Sequence, residues 1–293
     1  MKARLCGLLI AATATAHAGL LFQDSFGTPG TQLDLANWTT EIGSSSYLGR
    51  TQLTNWVSGS GQFVVGASGA QLALNTFNPT GVPLGTSLLG THGKTLMTFQ
   101  PTLNSTIEFT ARLLLNSIQP GIVFGVYLYG CPGPCATLHD EIDIELVTNA
   151  LQPGTLQVQL NRYANEPLGA GHGGLINLPM GFNPLAVHDW TIRWSTTRID
   201  YLVDGILLST SFDHVPQGPM QVNVIAWGPD SAWAAAHNSS LVSVASAGAN
   251  QSFVALLQQV TVTDSVPEPA TWLLTALGLA AVGLRGMRAR IRR

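Results

Sequence analysis

Apolar and polar residues alternate with a period of two in stretch after stretch of this 293-residue chain. That is the signature of β-strands that bury one face and leave the other polar. Residues 106–113 alternate cleanly, and 155–161 do so with Gln157, Gln159 and Asn161 on one face. Residues 62–65 and 71–74 predict a hairpin around Gly66-Ala67-Ser68-Gly69. The run 187–194 leads into 198–205 and predicts a strand followed by a hairpin closed by Val203-Asp204-Gly205, in which Asp-Gly supplies the positive φ angles of a two-residue turn. Residues 121–129 are apolar on both faces and predict a buried strand, while 20–26, 219–227 and 253–262 add further strands. Periodicity by itself predicts an all-β sandwich or barrel.

One alternating run differs from the rest. In His139-Asp140-Glu141-Ile142-Asp143-Ile144-Glu145-Leu146, the apolar Ile142, Ile144 and Leu146 share one face, and Glu141, Asp143 and Glu145 share the other with His139. No Lys or Arg lies between Arg112 and Arg162 to neutralise them. Like charges side by side cost stability, and a solvated edge strand usually carries Lys or mixed signs instead. Two carboxylates facing one site can divide nucleophilic and acid/base work, because their repulsion separates their proton affinities.

Glu-x-Asp-x-Glu preceded by His-Asp resembles the catalytic strand of glycoside hydrolase family 16, the concanavalin-like superfamily of retaining β-glucanases and xyloglucan transglycosylases. The flanks extend the resemblance: Leu20 to Phe26 followed by Asn37-Trp38 at the start, His188 to Trp194 leading to Val203-Asp204-Gly205, and a strand ending at Trp227 with Asp230 and Trp233 after it. The last of these is most similar to the xyloglucan-active branch. The resemblance covers residues 20–264 as one domain and implies a curved antiparallel β-sandwich jelly roll, concanavalin A-like, with a concave substrate cleft.

It also implies roles. Glu141 becomes the nucleophile, Glu145 the acid/base and Asp143 the residue that orients and tunes the pair. Trp227 and Trp233 are either core residues or platforms that stack on a sugar face. Trp190 and Trp194 share a face with Ile192 and are assigned to the core. His139, Gln159 and Asn161 are expected to contact substrate hydroxyls, the last two being explained nearly as well by a solvated face. His172, in a Gly-rich stretch, is placed in a loop where it reaches sugar or faces solvent. Residues 77–96 and 163–187 are expected as substrate loops. Many relatives hold a structural calcium through an acidic residue on the last strand; here Gln258 stands in that place, so no metal or other cofactor is expected. The implied activity is that of a retaining, endo-acting hydrolase of β-linked polysaccharide. A transglycosylase of the same family and a non-catalytic glycan-binding surface protein of the exopolysaccharide are the alternatives.

Charge and composition narrow the class. Only 10% of residues are charged, and 31 Gly and 16 Pro favour short strands and many turns. Seven of the 13 basic residues sit at the two ends, so six face 16 acidic ones over the remainder, a poor balance for binding nucleic acid. At the start, Lys2 and Arg4 precede an apolar run and Ala16-His17-Ala18, the form of a secretory signal over residues 1–18. At the other end, Pro267-Glu268-Pro269, an apolar stretch from Trp272 to Leu284 and five arginines resemble the PEP-CTERM sorting signal of Gram-negative bacteria over residues 266–293. These signals imply export across the inner membrane, a transient membrane anchor read by a sorting and processing enzyme, and a final place at the cell surface or in the extracellular matrix. A monomer is expected. In that compartment Cys131 and Cys135, in Cys-Pro-Gly-Pro-Cys, are expected to form a structural disulfide; a metal clip would need four ligands and finds only His139 as a third.

Overall fold

The computed structural model describes residues 18–26, 33–41, 48–53, 64–131 and 137–265. Cys135, both terminal signals and part of the first predicted hairpin arm lie outside the described residues. Cys131 is disulfide-bonded.

Strands dominate. The first half of the chain forms β1 (Ala18–Asp24), β2 (Trp38–Thr39), β3 (Thr51–Leu53), β4 (Val65–Gly66), β5 (Gly69–Asn75), β6 (Leu88–Phe99), β7 (Thr106–Leu115) and β8 (Val123–Gly130). The second half forms β9 (His139–Val147), β10 (Gln157–Glu166), β11 (His172–Asn177), β12 (Val187–Trp194), β13 (Ile199–Val203), β14 (Ile206–Ser211), β15 (Met220–Trp227) and β16 (Ser252–Ser265). They build two antiparallel layers. One runs β11-β10-β9-β8-β15-β6, and the other β5-β16-β7-β12-β13-β14. The long β6 joins them, pairing with β15 in the first layer and touching β5 of the second through Asn75 and Leu89. This is the curved β-sandwich jelly roll.

Alternation puts one face of every central strand into a shared core. Phe124, Val126 and Leu128 of β8, Ile142, Ile144 and Leu146 of β9 and Val222, Val224 and Ala226 of β15 face Ile107, Phe109 and Ala111 of β7 and Trp190, Ile192 and Trp194 of β12, all buried. On β16 the inward residues switch from Ala255 and Leu257 to Val260 and Val262, a change from odd to even numbers. The register slip between Leu257 and Gln259 against β7 accounts for it, because one extra residue restores the apolar parity beyond the bulge. The β13–β14 hairpin turns on Asp204 and Gly205, with φ of 50° and 76°, as the Asp-Gly dipeptide predicts. A polar tie crosses between layers close to the acidic strand: the Tyr201 hydroxyl donates to the carbonyl oxygen of Asn161 at 2.8 Å.

Three expectations change. Residues 88–96 belong to β6 and 172–177 to β11, so the stretches 77–96 and 163–187 are only partly loop. His172 therefore opens a strand. The two faces of residues 123–130 differ: Phe124, Val126 and Leu128 enter the main core, while on the outer face Val123 is buried in a smaller apolar cluster and Gly125, Tyr127 and Tyr129 line a cavity.

Truncating Phe109, which is fully buried opposite Ile192 and Val262, should cost about 3–5 kcal/mol of stability as Phe109→Ala. Urea unfolding monitored by tryptophan fluorescence measures it; a loss below about 1 kcal/mol would contradict its place at the centre of the core.

Candidate active site

The outer face of the first layer carries the acidic row. Pairing is unbroken from Val123↔Val147 to Gly130↔Asp140 between β8 and β9, so no bulge interrupts the alternation of the carboxylates. Glu141, Asp143 and Glu145 line one cavity of about 340 Å³ together with His139, Tyr127, Tyr129, Asn223 and Trp227. Their cross-strand neighbours follow from register: Tyr129, Tyr127 and Gly125 on β8, and Tyr163, Asn161 and Gln159 on β10. Gly125 keeps space open beside Glu145, since a Cβ there would come within 2.9 Å of the Ile225 side chain.

Among the described residues no Lys or Arg lines this cavity, and the carboxyls stand among neutral partners. Burial raises the Asp143 carboxyl well above its ordinary value, and the charges of Glu141 and Glu145 and a hydrogen bond to Glu141 push the same way. Glu145 is raised to about 8, first by burial and then by Glu141, against the opposing hydrogen bond from Asn161. That bond runs from Asn161 Nδ2 to Glu145 Oε2 at 2.9 Å, and Gln159 Nε2 in turn donates to Asn161 Oδ1 at 2.7 Å. His139 Nε2 lies 3.0 Å from Glu141 Oε2, off the line of a well-aligned hydrogen bond. Its ring is held between Tyr129 and Tyr163, at centroid distances of 5.3 and 4.5 Å.

The sequence-predicted contacts divide. His139 and Trp227 line the cavity. Asn161 and Gln159 do not: they are occupied in the chain of hydrogen bonds that ends on Glu145, because their strand is one step further from the cavity than β9. Trp233 also stands outside the lining, packed on Trp227 with centroids 5.6 Å apart. Trp190 and Trp194 are buried in the core. Gln258 lies at the bulge of β16.

A second set of residues escaped the sequence reading. Glu41 lines the cavity and pairs with Lys94 of β6 at 3.0 Å. Buried His92 accepts at Nδ1 from the N–H of Glu41 at 3.0 Å, so its Nε2 donates to Asn223 Oδ1 at 3.2 Å. Burial pushes His92 down to about 4, which keeps the imidazole neutral in that relay. Lys94 and Asn223 oppose each other across the β6–β15 pair, a proximity 129 residues of separation hides. Only the odd-numbered parity of Tyr127 and Tyr129 with Gly125 could have been read in advance.

Comparison with known proteins gives the family and supports the fold. The model of glycosyl hydrolases family 16 matches residues 51–245, and the chain belongs to that family. The PEP-CTERM protein-sorting motif matches residues 265–292. A beta-glucanase of Bacillus licheniformis is 35% identical over 109 residues, covering 36% of this chain and 41% of the relative, so the alignment spans less than half of that protein. Among solved structures, the B. licheniformis beta-glucanase superposes with a TM-score of 0.59 at 20% identity, covering 83% of this chain and 97% of that one. The catalytic domain of an endo-1,3-beta-glucanase (laminarinase) from Thermotoga petrophila does so with a TM-score of 0.65 at 15% identity, covering 86% and 99%. These structures share the fold.

The raised Glu145 carboxyl also predicts a stability effect. Its folded-state value, about 8, exceeds the ~4.3 of an unfolded chain. Its contribution is therefore fully present below ~4.3 and is lost as pH rises through about 8. Glu145→Gln should melt about 2–4 °C above the parent at pH 9 and with the parent at pH 4. Calorimetry at both pH values checks this; equal melting at pH 9 would contradict a buried, proton-retaining Glu145.

Proposed function

We propose that the protein is an exported retaining endo-β-glucan hydrolase working by double displacement. The observation that carries the reading is the placement of Glu141, Asp143 and Glu145 on one unbulged strand face in one cavity, with Glu145 still holding its proton near neutral pH. In the first step Glu141 attacks the anomeric carbon while Glu145 protonates the leaving oxygen. In the second, Glu145, now deprotonated, takes a proton from water as it attacks the glycosyl-enzyme, and Glu141 departs. Asp143, protonated and hydrogen-bonded to Glu141, would withdraw charge from it as the glycosyl bond breaks. Trp227 offers a flat apolar face for a pyranose ring. Two carboxylates suffice for both steps, so we assign no cofactor to the reaction. Family membership and the named beta-glucanase relative support β-glucan as the substrate class.

Glu141→Gln and Glu145→Gln should each lower turnover of unactivated β-glucan by at least about 10³-fold, measured as reducing ends over a panel of β-1,3-, β-1,4- and mixed-linkage glucans. An activated aryl glycoside should partly restore formation of the intermediate in the Glu145 variant, whose leaving group then needs little protonation. Parent-like rates in either variant on polysaccharide would remove it from the mechanism. In the parent, turnover should fall on the alkaline side as pH rises through about 8, because the general acid must be protonated to act.

Stereochemistry tests the geometry separately. The proposed mechanism requires the Glu141 and Glu145 side chains to lean together to the ~5–5.5 Å of retaining enzymes, instead of the ~6.5–9.5 Å that inverting enzymes keep for an interposed water. Proton NMR of a fresh digest should show the β-anomer first. An α-anomer appearing first would exclude Glu141 as nucleophile.

The terminal signals support export and processing. Intact-mass analysis of envelope protein should show loss of residues 1–18 and of the chain beyond about Pro269; full-length chain in that fraction would contradict both cleavages.

A further inference from the structure

At the edge of the first layer, away from the cavity lining, three chain segments bring Glu166, His172 and His214 together. Their ligand atoms all lie within 4.8 Å of one another. Glu166 ends β10, His172 opens β11, and His214 belongs to the connection between β14 and β15. One carboxylate oxygen, Glu166 Oε1, faces both imidazoles, with His172 Nε2 at 3.1 Å and His214 Nδ1 at 2.7 Å. The other, Oε2, is fixed by the N–H of Ala164 at 3.0 Å. The two rings stack with centroids 3.4 Å apart and 18° between planes. His214 holds a left-handed backbone, φ 48°, uncommon outside glycine. Arg162 ties the same segments, donating to the carbonyl oxygen of His172 at 3.1 Å and to Asp213 Oδ1 at 2.6 Å, so its charge is already met.

We propose that Glu166, His172 and His214 form a binding site for a first-row divalent transition metal of the zinc class. Two imidazole nitrogens and one carboxylate oxygen are donors that such ions prefer, whereas calcium and magnesium take oxygen throughout. Bonds of ~2.0–2.1 Å in a tetrahedral arrangement separate neighbouring ligand atoms by roughly 3.3 Å, so the contacts at Glu166 open only slightly as each ring exchanges its N–H donation for metal coordination. The side chains of His172 and His214 are 34% and 35% exposed, which gives the ion a path in and leaves a fourth position for water. The bound ion clamps the β10–β11 edge to the connection before β15. Because Glu166 pairs with His139 across β9 and β10, the clamp steadies the strand ends next to Glu141 without entering the cavity. It is independent of the hydrolytic reading.

The test uses untagged, chelator-stripped full-length protein titrated with zinc chloride by calorimetry at pH 7. One equivalent should bind and raise the melting temperature by about 2–4 °C. His172→Ala and His214→Ala should each weaken binding by more than the roughly 10–100-fold that loss of an outer-shell partner costs. Cobalt(II) added to the parent protein should give the intense visible bands of a four- or five-coordinate site, a readout that needs no variant to fold. Absence of stoichiometric zinc binding, unchanged affinity in a folded double variant, or the weak spectrum of hexaaqua cobalt would overturn the assignment.

Discussion

Three carboxyl groups on one face of a single strand, with no Lys or Arg among the described residues of the cavity they share, are the constraint to which the surrounding structure answers. Coulomb repulsion between adjacent charges at reduced dielectric is large enough that not all can be ionised together. The fold does not resolve this with a counter-ion. Arg162 stands in register with Ile142 and is bonded instead to Asp213 and the His172 carbonyl. Burial raises the Asp143 and Glu145 carboxyls above their ordinary values and so favours their protonated forms, and neutral donors or aromatic rings stand at flanking positions. That arrangement sacrifices stability at alkaline pH and leaves a proton poised beside a carboxylate.

The sandwich behind the strand gives this arrangement its rigidity. Ile142, Ile144 and Leu146 sit on the reverse of the same peptide units and are locked in the common core, so the acidic side chains inherit a fixed spacing from apolar packing. A one-residue slip of β9 would exchange the two faces and bury the charges in the core. Register shifts do occur elsewhere, in β16 against β7, in β15 against β6 and at the end of β10 beyond Ala164, opposite the start of β9. Between β8 and β9 the register runs without a break. Tyr201 adds a polar tie between layers at Asn161, the residue that also donates to Glu145, so the acid/base candidate is coupled to the far sheet through one side chain and one carbonyl.

Two of the ionisable clusters of the first layer answer different needs. In the cavity, carboxyls crowd and hold protons, which suits acid/base chemistry. At the sheet edge, imidazoles converge on one carboxylate, which suits coordination. Glu166 and His139 are cross-strand partners, so the edge and the cavity share a backbone ladder while keeping their chemistry apart.

Much of this was determined by sequence alone. Period-two alternation gave nearly every long strand, Asp204-Gly205 gave its turn, and the acidic row declared both its shared face and its family, because those properties depend on residues close together in the chain. Tertiary structure decided what depends on distant partners. Gln159 and Asn161 have the chemistry of sugar ligands, but pairing of β10 with β9 turns them toward Glu145. The family resemblance favours Trp227 over Trp233 as a platform, and of the two it is the strand-borne Trp227 that lines the cavity. Glu41, Lys94, His92 and Asn223 meet through the β6–β15 pairing, and Glu166, His172 and His214 through a strand end, a strand start and a distant connection. Neither meeting has a local signal, because a strand's own pattern fixes which way its side chains point but not which strand lies beside it.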